Sequence, residues 1–167
     1  MTTQDANMET VSAESKSTAD IVTNELIEDA TGVNHVDIIQ TVISSLDQDG
    51  SAMVSRSDAG HLWKFNYGSV EVFVQLTGLT DEDTFTVWAS VLKLPVDNEA
   101  QLMQKLLEMN WAETFESRFA IFNDHVVVVA SRTLAELSPG EISRAITVVA
   151  TIADNNDDAL QSEYSAT

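Results

Sequence analysis

The sequence predicts an α+β protein: a mainly antiparallel five-stranded sheet with helices, in the order α-β-β-β-α-β-β-α. Three observations carry this. Val70, Val72, Val74 and Leu76 alternate with Glu71, Phe73 and Gln75, which is the period of a strand with one buried face. Three other stretches repeat apolar residues every three or four positions, the period of a helix. The strand-like runs are separated by short polar turns, which favour hairpins and therefore antiparallel neighbours.

Taken in order, residues 1–32 read as a disordered or loosely docked acidic tail, and residues 33–165 as the folded domain. Ile21, Val22, Leu26 and Ile27 form a half-apolar patch, either a docked helical turn or a solvated extension. Asn34 is a candidate N-cap for a helix lined by Val36, Ile39, Val42, Ile43 and Leu46, which stops before Gly50. Residues 51–60 read as turns, with an extended piece at Met53 and Val54. Three strands follow within Leu62 to Leu94, joined by a hairpin at Gly68 and a turn over Thr77 to Asp83, and closed by Pro95. Asp97 or Asn98 caps a second helix whose apolar residues wrap around more than one narrow stripe, with Asn110 as its stop. Two strands, SRFAIF and HVVVVAS, are linked by Asn123 and Asp124, residues that tolerate hairpin dihedrals. The all-apolar run Val126 to Val129 belongs inside the sheet. Ser138, Pro139 and Glu141 form a capping box with proline at the first helical position. That last helix buries Ile142, Ala145, Ile146, Val149, Ile152 and Ala153, and the acidic run Asp154 to Asp158 reads as solvated.

Composition narrows the function. The formal net charge is −19, from 27 acidic against 8 basic residues, which repels nucleic acid and anionic membrane surfaces. There is no cysteine, so disulfides, thiolate chemistry and sulfur-ligated metals are excluded. No apolar run approaches the roughly 20 residues of a membrane helix. The first residues lack the basic and apolar regions of a secretory signal, and the expected location is cytoplasmic.

With LLEMNW at Leu106 to Trp111 and SRTLAELSPGEISRAI at Ser131 to Ile146, this order of elements resembles the YbjN family, and in particular its members common in photosynthetic bacteria. The resemblance spans roughly Val33 to Tyr164. Its markers are LL-x-x-N at the end of the second helix, an apolar fifth strand, and L-S-x-x-E-I opening the third helix. That family is similar to the type III secretion chaperone fold: small, acidic, usually dimeric proteins that bind protein clients. The resemblance implies a non-catalytic chaperone-like or adaptor protein, with an unidentified protein client and a homodimeric state. No active-site motif travels with it.

The candidate surface is aromatic. If the valine face packs on the helices, Phe73, Trp88 and Phe122 lie on the other face. With Trp63 from the first strand, and Leu102 and Met103 from the second helix, they form the candidate client- or dimer-binding residues. The ordinary reading is that these rings are core or covered by the tail; a subunit contact comes next, then a client surface. A small-molecule or regulatory pocket between the second helix and the sheet is the alternative function.

Other motifs carry less. Asp47 to Gly50, DQDG, hints at a calcium loop, but in that register the first and twelfth positions are Ser45 and Arg56, and an arginine repels the ion. His35, His61 and His125 form no metal-spaced pair. His125 beside Asp124 and the carboxylates Asp81 to Asp83 sit at turns, where solvated charge is the ordinary reading. No catalytic residue, metal ligand or cofactor is expected. Lys93 could guard a sheet edge, or that edge could accept a client strand.

Overall fold

The computed structural model describes residues 33–165; the tail expected over residues 1–32 lies outside the described residues. The elements are α1 (His35–Leu46), β1 (Met53–Ser57), β2 (Gly60–Tyr67), β3 (Val70–Leu76), β4 (Thr84–Lys93), α2 (Glu99–Ala112), β5 (Arg118–Phe122), β6 (His125–Thr133) and α3 (Pro139–Glu163). The strands make one antiparallel sheet in the order β1-β2-β3-β4-β6-β5. The α+β architecture is as the sequence predicts, with six strands rather than five. The extra strand is β1, around the extended piece read at Met53 and Val54. All five of its residues are exposed, so no alternation marks it.

Register sorts the two faces. Trp63 opposes Val74, Val74 opposes Val87, Val87 opposes Ala130, and Phe119 opposes Val128. These side chains share one face and are buried with Ile39 and Ile43 of α1, Leu102, Leu106 and Met109 of α2, and Ile142, Ile146, Val149 and Ala153 of α3. All three helices therefore pack on the valine side. At 25 residues, α3 is about 37 Å long. It packs mainly on β4, with α1 alongside it and α2 toward β5.

Local chemistry sets the ends. The Asn34 side chain accepts from the Asp37 amide at 3.2 Å, as an N-cap should. Both reciprocal bonds of the Ser138 capping box are present: Ser138 N–H donates to Glu141 at 2.9 Å, and the Ser138 hydroxyl accepts from the Glu141 amide at 3.2 Å. Asn123 and Asp124 both take positive φ, 48° and 58°, as a tight hairpin turn requires. One expectation is refined and one corrected. Asn98 occupies the N-cap position of α2, accepting from the Leu102 amide through its backbone carbonyl at 3.1 Å, with left-handed backbone and no side-chain cap bond. Asn110 does not stop α2, which runs on to Ala112.

The acidic run in α3 is also only partly solvated. Asp157 is 4% exposed. The Ser69 hydroxyl lies 2.9 Å from it and 3.0 Å from Asp154, and the Ser69 amide donates to Asp154 at 2.8 Å. These bonds clamp the β2–β3 hairpin onto α3. Gly68 is required there: its φ is +54°, and a Cβ would sit 2.0 Å from an Asp154 oxygen.

Glu141 supplies a test of the cap. The Ser138 amide, then the Arg132 guanidinium and the Ser138 hydroxyl, hold its carboxyl down at about 2, against an ordinary 4.5. A carboxylate depressed in the folded state stabilises fully above its unfolded value and loses that contribution as pH falls through its folded one. The melting-temperature gap between wild type and Glu141→Gln should therefore be widest above pH 4.5 and close toward pH 2. A gap independent of pH would remove the carboxylate charge as its source.

Candidate client-binding surface

Opposite parity to the valines defines the other face of the sheet. Phe73 of β3 and Trp88 of β4 are cross-strand partners, and their rings stack at 5.2 Å with planes 10° apart. Trp88 reaches across β6 to meet the Phe122 ring edge-on at 6.0 Å. This is a continuous aromatic row over four strands, in geometries that rings favour. Beneath it, Val127 is 2% exposed although no helix among the described residues lies on that side; the row itself covers it. A cavity of about 220 Å3 opens here, with a floor of Ala120, Val127 and Val129, walls of Trp88 and Phe122, and Gln75 and Thr86 at one end. Thr86 is held by Ser131 at 3.0 Å across β4 and β6.

The sequence-derived residues divide three ways. Phe73, Trp88 and Phe122 come together on the open face. Trp63 and Leu102 do not belong to any surface: they are 2% and 0% exposed. Trp63 shares the parity of Val74 and so points at the helices, where it stacks on His61 at 5.4 Å. Leu102 is on the inward side of α2. Met103 is half-buried at the margin of the core.

The outward row of α2 lies beyond the candidate residues named from the sequence. Leu107 is 70% exposed and Trp111 93%, one turn apart and in line with Met103. Phe115 just beyond, at 77%, and Ile121 of β5, at 58%, add to the exposed apolar surface at that end. The spacing of Met103, Leu107, Trp111 and Phe115, four residues each time, was the available signal.

Asn110 has a different task from the one expected. Its side-chain oxygen accepts from the Phe119 amide at 2.7 Å, and its nitrogen donates to the Phe119 carbonyl at 3.3 Å. An amide side chain thus occupies the outward N–H and C=O of Phe119 on the edge strand β5, as a neighbouring strand would.

Inward residues of α2 are buried where the alternative pocket was expected. A cavity of about 740 Å3 opens elsewhere, between the end of β4, His125 and the Gln161 to Ser165 end of α3. Among the described residues no group of three His, Cys, Asp or Glu side chains is placed to hold a metal ion. The displaced carboxylates have structural causes: Thr80 hydroxyl and amide bonds lower Asp83, Arg144 lowers Glu116, and Lys105 lowers Glu163.

One layer of helices on one side of an antiparallel sheet, with an aromatic row on the other that no helix among the described residues covers, gives an α+β fold of the type III secretion chaperone-like class. The chain belongs to the YbjN family, whose model, described as "Putative bacterial sensory transduction regulator", matches residues 35–162. Among solved structures it is similar to a chain in the crystal structure of the ExsC–ExsE complex, with a TM-score of 0.54 at 16% identity, covering 76% of this chain and 96% of that one. No curated protein matches the sequence. No helix among the described residues is long and apolar enough to cross a membrane.

Removing the edge plug should be costly. Asn110→Ala should lower stability in urea by about 1–2 kcal/mol, from two lost bonds to part-buried backbone. It should also raise self-association in light scattering, because a strand edge is uncovered. Unchanged stability would mean that the amide plays no part in holding β5.

Proposed function

We propose that this protein is a non-catalytic adaptor of chaperone-like type that holds an apolar segment of a client protein on the open sheet face. The observation that carries the reading is the Phe73–Trp88–Phe122 row with its cavity, opposite the helices and covered by none among the described residues. Grouped aromatic rings over an apolar floor are the composition of an interface core. The cavity matches the size of one large apolar side chain. Titratable groups do not converge there; the ring edges meet only Gln75 and Thr86. That suits capture better than catalysis. The solved neighbour is a complex of two proteins, which agrees with partner binding. The acidic remainder of the surface would keep an otherwise sticky complex in solution.

The test is a nine-residue peptide of alternating leucine and serine. In NMR it should shift the Trp88 indole N–H and the Val127 and Val129 methyls. Phe122→Asp should weaken it at least tenfold, which is about 1.4 kcal/mol. Shifts confined to another surface would overturn the reading.

The homodimer belongs to the same proposal, through the outward row of α2 and not through Leu102. Leu107, Trp111, Phe115 and Ile121 offer on the order of 600 Å2 of apolar surface, close to the ~800 Å2 per partner of a standard interface. Trp111→Asp should yield a monomer by sedimentation with the fold intact. Added salt should strengthen the wild-type dimer, because it screens repulsion between two acidic copies. A wild-type monomer at high concentration and salt would end this part of the proposal.

A further inference from the structure

The open face carries two cations without an ion-pair partner among the described residues, and one of them, Arg118, flanks the aromatic cavity. The charged side chains of this face are Lys64, Glu71, Lys93 and Arg118; Lys64 pairs with Glu71 at 3.1 Å, and Lys93 lies opposite His125 at the end of β4. Arg118 is exposed, and among the described residues it has no carboxylate within ion-pair distance. This stands out in a chain with 27 acidic and 8 basic residues. Two other arginines, Arg132 and Arg144, are held by Glu141 and Glu116.

Its position matters more than its charge. Arg118 lies on β5 two residues before Ala120, which floors the aromatic cavity, and opposite Val129, which floors it too. Residues two apart on a strand face the same way, roughly 7 Å from each other. An extended client presents its own side chains at the same repeat. A client residue seated in the cavity therefore brings its neighbour two positions away to the guanidinium.

We propose that the site selects extended segments in which a bulky apolar residue stands two positions from an aspartate or glutamate. The inference rests on the open-face reading above and adds a specificity rule to it. Charge complementarity makes the occupant a client and not a second copy, since two copies of this chain would oppose like faces on strongly acidic bodies. The rule works against the general field of the protein, which attracts basic peptides. A local preference for an acid is therefore a signature that the overall charge cannot produce.

Three nine-residue serine peptides test it, each with one leucine and, two residues on, glutamate, glutamine or lysine. Binding to the full chain is read from the Trp88 indole N–H in NMR. The glutamate peptide should bind about threefold to tenfold tighter than the glutamine one, a gap that narrows in high salt. Arg118→Glu should invert the order, placing lysine first. Arg56→Glu makes the same change of charge on β1, at the opposite sheet edge, and should leave the order intact. Equal binding of all three peptides overturns the rule, and so does an order that both substitutions change alike. Failure of all three to bind, together with the leucine–serine peptide, would instead remove the open face as the site.

Discussion

Everything distinctive in this molecule depends on the register of three strand pairs, β3 with β4, β4 with β6, and β6 with β5. Because successive side chains alternate, pairing Val74 with Val87 and Val87 with Ala130 commits each immediate neighbour along those strands to the far side. Phe73, Trp88 and Phe122 are on the open face for that reason alone. A slip of one residue would bury the aromatic row under α3 and turn the valines to water. The burial of Val72, Val74, Val87, Val126 and Val128 beneath the helices, each at 0%, opposes such a slip with several kcal/mol of apolar transfer. The core thus defines the site without touching it.

Where that register had to be known, the sequence could not be read fully. Alternation in β3 and the capping box of α3 are local signals, and both elements stand where they were expected. Trp63 is different. Its own strand does not say which parity faces the helices; the Trp63–Val74 pairing does, and that is a contact between strands. The strand β1 is silent for a related reason. It lies at the sheet edge with both faces exposed, so nothing selects alternating residues. Asp157 looked solvated because its partner, Ser69, is 88 residues away.

The second helix shows how a composition signal can be right while its assignment is wrong. Its apolar residues do wrap around more than one stripe. Leu102, Leu106 and Met109 take the core, and Leu107 and Trp111 are left outside. Leu102 and Met103 are adjacent, so on a helix they diverge by about 100° and cannot serve one surface equally. Asn110 sits between the two stripes and spends its amide on the backbone of β5. A residue that reads as a helix stop is in fact a tie between layers.

Charge and apolar surface are segregated in this chain. Its carboxylates are used mostly at turns, caps and helix exteriors, where hydrogen bonds and arginines hold several of them ionised. The aromatic face is net positive by contrast: Lys64 and Glu71 cancel each other, and Lys93 and Arg118 remain. Acidic surroundings repel other copies and anionic polymers over a screening length of about 8 Å. Within that distance, on the proposed reading, the apolar row and Arg118 select the partner. Long-range repulsion and short-range selection would then be carried by different residues, so a substitution on β5 could retune the partner without altering the charge of the rest of the surface.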